Sequence, residues 1–137
     1  MLSIRPAGRA DEPGILKVLD EADLHYGAEE LNGFYVCEEN GRIVGTVRLE
    51  EHPDFLFLTS LGVLPDHRHQ GIATSLLINV LTRLSKPVYL YTVIPEFFKK
   101  QGFSETAAYP DLPPKNIFGC DECVPGHCVV MVKRPER

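Results

Sequence analysis

Residues 58–84, LTSLGVLPDHRHQGIATSLLINVLTRL, pass from an apolar run through a basic turn into a helical repeat. An apolar run, Phe55 to Val63, stops at Pro65, and a basic turn with one glycine follows, Arg68-His69-Gln70-Gly71. Beyond it Ile72, Leu76, Val80 and Leu84 recur at helical spacing, with Ala73, Leu77 and Leu81 beside them. Strand, turn and helix N-terminus in succession present unpaired backbone N–H groups to an anion, and the helix dipole adds a favourable field. Gly71 lets a ligand approach the main chain, Ala73 keeps the next position small, and Arg68 can bring a full charge to a phosphate oxygen. A phosphate-bearing ligand is one expectation. The alternative is that Gly71 and Ala73 only allow a helix to pack tightly on a sheet.

After the stop at Lys86-Pro87, Val88 to Thr92 reads as a strand. Strand, helix, strand implies a crossover, so it should lie parallel to Phe55–Val63. Upstream, Phe34–Glu38 and Ile43–Leu49 flank Asn40-Gly41, a hairpin signal, and with Phe55–Val63 they form an antiparallel meander. Ser3 to Arg5 is a short first strand. Asp11 reads as the N-cap of a helix carrying Ile15, Val18, Leu19 and Ala22 on one face, with Pro13 in its first turn. Pro95 opens a short helix that Gly102 ends as a C′ glycine. Phe103–Ala108 and Cys128–Lys133 are the last two strands, separated by a long loop from Pro110 to His127.

The chain has 137 residues, 44% hydrophobic and 24% charged, which is the size and composition of one globular domain over 1–137. A formal net charge of −5 argues against nucleic-acid binding, and no apolar run approaches a membrane span. With no signal-peptide pattern at the N-terminus, a cytoplasmic protein with reduced thiols is expected.

Val63-Leu64-Pro65-Asp66-His67-Arg68-His69-Gln70-Gly71-Ile72-Ala73 closely resembles the acetyl-CoA-binding signature of the GNAT superfamily of N-acetyltransferases, Arg/Gln-x-x-Gly-x-Gly/Ala. Phe97-Phe98-Lys99-Lys100-Gln101-Gly102-Phe103 resembles the second landmark of that family, a short helix ending in Gly-Phe. The resemblance spans nearly the whole chain apart from Pro110–His127. It implies an α+β fold: a mixed, largely antiparallel sheet flanked by helices, with the fourth and fifth strands parallel and splayed.

It also implies acetyl-CoA as cosubstrate, its pyrophosphate on the backbone of His69, Gln70, Gly71, Ile72, Ala73 and Thr74, with Arg68 alongside. The pantetheine arm would add like a strand along Leu61, Gly62 and Val63, where a backbone N–H could polarise the thioester carbonyl. The activity implied is transfer of the acetyl group to a primary amine of a small molecule by direct attack. Phe98 stands where many members place a tyrosine that protonates the thiolate. Having no proton to give, it is expected to pack against the CoA arm or the core. Glu50, Glu51 and His52 flank the gap between strands three and four, and Glu50 is the candidate base through water. Tyr91, ending the fifth strand, is a candidate hydroxyl near the cleft. With that proton donor missing, and no acid between Phe55 and Val63 where some members carry a glutamate base, the competing reading is a module that holds CoA without turnover.

Cys120-x2-Cys123-x3-His127-Cys128 has zinc-ligand spacing, but adjacent His127 and Cys128 would point to opposite faces of a strand. The family needs no metal, so none is expected. Leu90-Tyr91-Thr92, Phe97-Phe98-Lys99, Leu112-Pro113 and the cysteines also resemble a short subgroup similar to N-acetylglutamate synthases. That likeness implies the α-amine of an amino acid as acceptor, with Arg48 a candidate partner for its carboxylate. The expected partner is therefore a small-molecule amine, and a homodimer is left open.

Overall fold

The structure, a computed structural model, describes residues 2–21, 33–68, 70–82, 85–92, 94–106 and 129–135. Its elements run β1 (Leu2–Pro6), α1 (Glu12–Glu21), β2 (Phe34–Glu39), β3 (Arg42–Glu51), β4 (Leu56–Val63), α2 (Ile72–Leu81), β5 (Val88–Thr92), α3 (Pro95–Lys99), β6 (Ser104–Glu105) and β7 (Val129–Lys133). One seven-stranded sheet takes the order β1-β2-β3-β4-β5-β7-β6. Every neighbouring pair is antiparallel except β4 and β5. This is the mixed, helix-flanked sheet expected from the sequence. The hairpin turns at Asn40 (φ 52°) and Gly41 (φ 85°), both left-handed, as a turn matching the twist of its strands requires.

Apolar spacing decides which helix faces are buried. Ile15, Val18 and Leu19 of α1 and Ile72, Leu76, Leu77 and Val80 of α2 enter one core with Val36, Val44, Val47, Leu58 and Leu90 of the sheet. Each such side chain contributes roughly 2 kcal/mol by leaving water. That burial, rather than capping, holds α2, whose N-terminus no side chain caps. A smaller cluster gathers Phe55, Phe57, Tyr89, Val130 and Val132, with Tyr91 packed against it.

Asp11 departs from its expected place. It closes a 3-10 turn over Arg9–Asp11 instead of capping α1, and its carboxylate accepts from the Gly8 N–H at 2.7 Å. Arg5 of β1 grips the same carboxylate with two bonds, 2.7 and 2.9 Å. The guanidinium outcompetes the helix start for this acid, since a bidentate charged pair is stronger than a single cap bond. Ala22 and Leu84, expected on helix faces, and Ala107, Ala108 and Cys128, expected in strands, lie outside the described residues.

Candidate active site

The site begins where β4 leaves β5. Their parallel pairing covers only Leu56↔Val88 and Phe57↔Tyr89. On the other side β4 stays with β3 but carries an irregularity: Arg48 pairs with Thr59 and Thr46 with Gly62, so Ser60 and Leu61 together face Val47. Ser60 is left-handed, φ 56°, an unfavourable state for a residue with a Cβ. An extra residue of this kind bends and twists its strand, which is how the splay arises. Past the bulge, the Leu64 N–H bonds to Val44 O at 2.9 Å. The trans peptide therefore aims the Val63 carbonyl away from β3, and extended geometry aims the Val63 N–H the same way, towards the side β5 has vacated.

The turn follows directly. Pro65–His67 form a single 3-10 turn, and Gly71 then takes φ 77°, ψ 12° as the N-cap of α2. The first helical bond, Ser75 N–H to Gly71 O, is 2.9 Å. The N–H groups of Ile72, Ala73 and Thr74 precede it and have no acceptor one turn back, so they point out of the helix end. A Cβ on Gly71 would meet nothing within 4 Å. Arg68 is exposed and its Nε donates to Val63 O at 3.4 Å, linking the turn to the end of β4. Gln70 donates to Asp66 O at 3.5 Å. Ile72 is buried, Ala73 and Thr74 half-buried, and His69 lies outside the described residues. The structure thus brings Leu61, Gly62, Val63, Arg68, Gln70, Gly71, Ile72, Ala73 and Thr74 into one continuous strand end, turn and helix start.

On the second flank, Glu50 pairs across the ladder with Phe57, so both side chains share one face of the sheet. Phe57 meets the Tyr91 ring edge-on, 5.3 Å between centroids. Glu50 and Tyr91 therefore stand on either side of Phe57. Glu50 is half-buried, with Arg48 Nη1 at 3.3 Å and His52 Nε2 at 2.8 Å. The His52 contact is not aligned as a hydrogen bond, because that nitrogen has no directed partner. Its ring stacks on Phe55 at 4.4 Å. Glu51 instead faces solvent and pairs with Lys86 at 3.0 Å. Phe98 is buried in the main core, edge-on to Phe97 and Phe103.

Two features escaped the sequence reading. Thr46, fully buried, donates its hydroxyl to Ser60 O at 2.9 Å. A lone hydroxyl in the run Val44-Gly45-Thr46-Val47 was the available signal. His67, at the start of the turn, lies between Asp66 (Nδ1, 2.9 Å) and Glu39 of the hairpin (Nε2, 3.3 Å). Those two carboxylates raise its pKa above the ordinary 6.5, the Asp66 bond first. Arg42 approaches Asp66 at 3.5 Å. Cys37 is a buried free thiol whose pKa burial raises. Cys120, Cys123, His127 and Cys128 lie outside the described residues.

Residues 5–103 match the model of the acetyltransferase (GNAT) family. Among solved structures, N-acetylglutamate synthase from Neisseria gonorrhoeae, complexed with coenzyme A and N-acetyl-glutamate, superposes with a TM-score of 0.77 at 23% identity. The match covers 100% of this chain but 36% of that one, so the chain spans about a third of the length of that enzyme. Rv2747 from Mycobacterium tuberculosis, solved with CoA, gives a TM-score of 0.78 at 19% identity, covering 98% of this chain and 99% of the other. The ribosomal-protein-S18-alanine N-acetyltransferase of Escherichia coli gives 0.73 at 16%, covering 100% and 96%. Identities this low establish a shared fold. Among the described residues no helix is long and apolar enough to cross a membrane.

Proposed function

We propose that this chain, which belongs to the acetyltransferase (GNAT) family, transfers an acetyl group from acetyl-CoA to the primary amine of a small molecule. The observation that carries the reading is the run from Leu61 to Thr74: a β4 edge freed from β5 leads into an uncapped helix start behind an open, left-handed Gly71. That arrangement fits a ligand with an extended amide-bearing arm and a pyrophosphate, which is the chemistry of CoA.

Acetyl-CoA supplies the acetyl group as a thioester. The Val63 N–H, turned to the open edge, is placed to polarise the thioester carbonyl. Attack by a neutral amine forms the C–N bond as the C–S bond breaks. The ammonium proton must leave, and the thiolate must be protonated. Glu50 is the acceptor for the first proton through water, and the Tyr91 hydroxyl the donor for the second. Phe98 contributes packing only. The combination of Glu50 and Arg48 on β3 with His52 just beyond its end supports an acceptor that is itself charged, and an α-amino acid meets that condition.

The test is thiol release from acetyl-CoA by the purified chain across amines, α-amino acids included. Turnover is expected with at least one of them and should fall about 100-fold or more in Glu50→Gln, within the usual range for loss of a general base. Tight CoA binding without turnover on any amine would favour the non-catalytic reading, which the buried Phe98 supports.

A further inference from the structure

We propose that Thr46 is a positioning residue for donor binding: its hydroxyl holds the left-handed Ser60 bulge and so sets the direction in which β4 leaves β5. The inference rests on the donor reading above and adds a residue that makes no contact with the donor itself. Thr46 sits in five successive buried residues of β3, Ile43 to Val47. Thr46 and Thr92 are the buried polar or charged side chains among the described residues. Thr92 uses its hydroxyl locally, accepting from the Ile94 N–H at 2.9 Å. Thr46 uses its own across the sheet, on Ser60 O at 2.9 Å.

Packing does not call for a hydroxyl there, since valine has the same shape and suits a strand. The acceptor explains it. Ser60 carries φ 56° without being glycine, a state that persists only when neighbours hold it. The location matters as much as the strain. The last β4–β5 pair is Phe57↔Tyr89, and the first regular β3–β4 pair beyond the bulge is Thr46↔Gly62. The bulge therefore lies between the end of the parallel pairing and the Val63 peptide, where a change in twist re-aims the whole open edge. Without the bond, Ser60 is free to return to extended φ, and the two-against-one register opposite Val47 loses its support.

The test compares two ligands on the whole chain: CoA, and adenosine 3′-phosphate 5′-diphosphate, which lacks the pantetheine arm. Thr46→Val should weaken CoA about tenfold, the size of one lost buried hydrogen bond, and leave the fragment within about twofold. The KM for acetyl-CoA should rise with kcat little changed. Thr46→Ser should restore CoA binding. So should Ser60→Gly in the Thr46→Val background, because glycine holds positive φ unaided; this double variant also serves if Thr46→Val alone folds poorly. Unchanged CoA affinity in Thr46→Val, or equal losses for both ligands, would overturn the proposal. A wild-type chain that binds neither ligand would remove the donor reading, and this inference with it.

Discussion

At the scale of single residues, Gly71 and Gly45 separate the two uses of a small residue that a sequence cannot tell apart. A Cβ on Gly45 would lie 2.9 Å from Ile72 Cγ2 and 3.1 Å from Leu76 Cδ1, so its absence lets α2 sit on β3. Gly71 has open space where a Cβ would go but requires φ 77°. Tight packing is thus the work of Gly45, and the alternative explanation for Gly71 loses its ground. Gly71→Leu should cost about 1–2 kcal/mol of stability through the left-handed backbone and keep the fold. Its CoA affinity should fall at least about tenfold, because the side chain fills the approach to the N–H groups of Ile72 to Thr74. Calorimetry with CoA alongside thermal unfolding checks both halves, and unchanged affinity would sink the phosphate-turn assignment.

Between elements, the same crowding makes a different prediction. Gly45→Ala forces either Ile72 or Leu76 to give way, and overpacking of this kind costs about 1–3 kcal/mol. Denaturant unfolding should register it as a shift in midpoint at constant m-value. How far each element was legible follows from the range of its causes. The hairpin at Asn40-Gly41 and the end of α3 are local, and both stand as read. At the latter, the Gly102 N–H bonds to Lys99 O at 3.1 Å and the Phe103 N–H to Phe98 O at 3.0 Å, with Gly102 at φ 95°. Pairing those two bonds with the Phe98–Phe103 ring contact gives a Schellman ending with its hydrophobic clasp. Asp11 was misplaced because its partner, Arg5, comes from another element. The splay of β4 from β5 was expected, but not the hydroxyl of Thr46 that holds the Ser60 bulge behind it, because that contact crosses strands.

Across the whole molecule, the apolar periods and the crossover rule sufficed for the β2-to-β5 order, whereas the place of β1 beside β2 and the insertion of β7 between β5 and β6 are choices of tertiary packing that no local pattern encodes. Charge adds a second layer of connection. Arg5 joins β1 to Asp11 before α1 and to Glu38 of β2, while His67 and Arg42 join the β2–β3 hairpin to the turn ahead of α2. Asp11 and His67, one in each group, titrate in opposite senses. The Arg5 bonds, with the Gly8 N–H, lower Asp11 from 3.8 to about 2. Its contribution is therefore complete above about 3.8 and is lost as pH falls towards about 2. His67 is raised above 6.5, so its contribution is complete below 6.5 and is lost as pH rises through the higher folded value. Asp66, lowered by the His67 bond, follows the acid limb. Thermal stability should thus plateau between about 4 and 6.5 and decline on both sides. His67→Gln should flatten the first part of the alkaline decline and remove the Asp66 share of the acid limb, whereas Asp11→Asn should flatten the Asp11 share of the acid limb and leave the alkaline limb in place. Melting temperatures of the three proteins from pH 2 to 9 decide the matter. An alkaline limb unchanged in His67→Gln would mean that the hairpin and the turn ahead of α2 are held together by something other than this imidazolium.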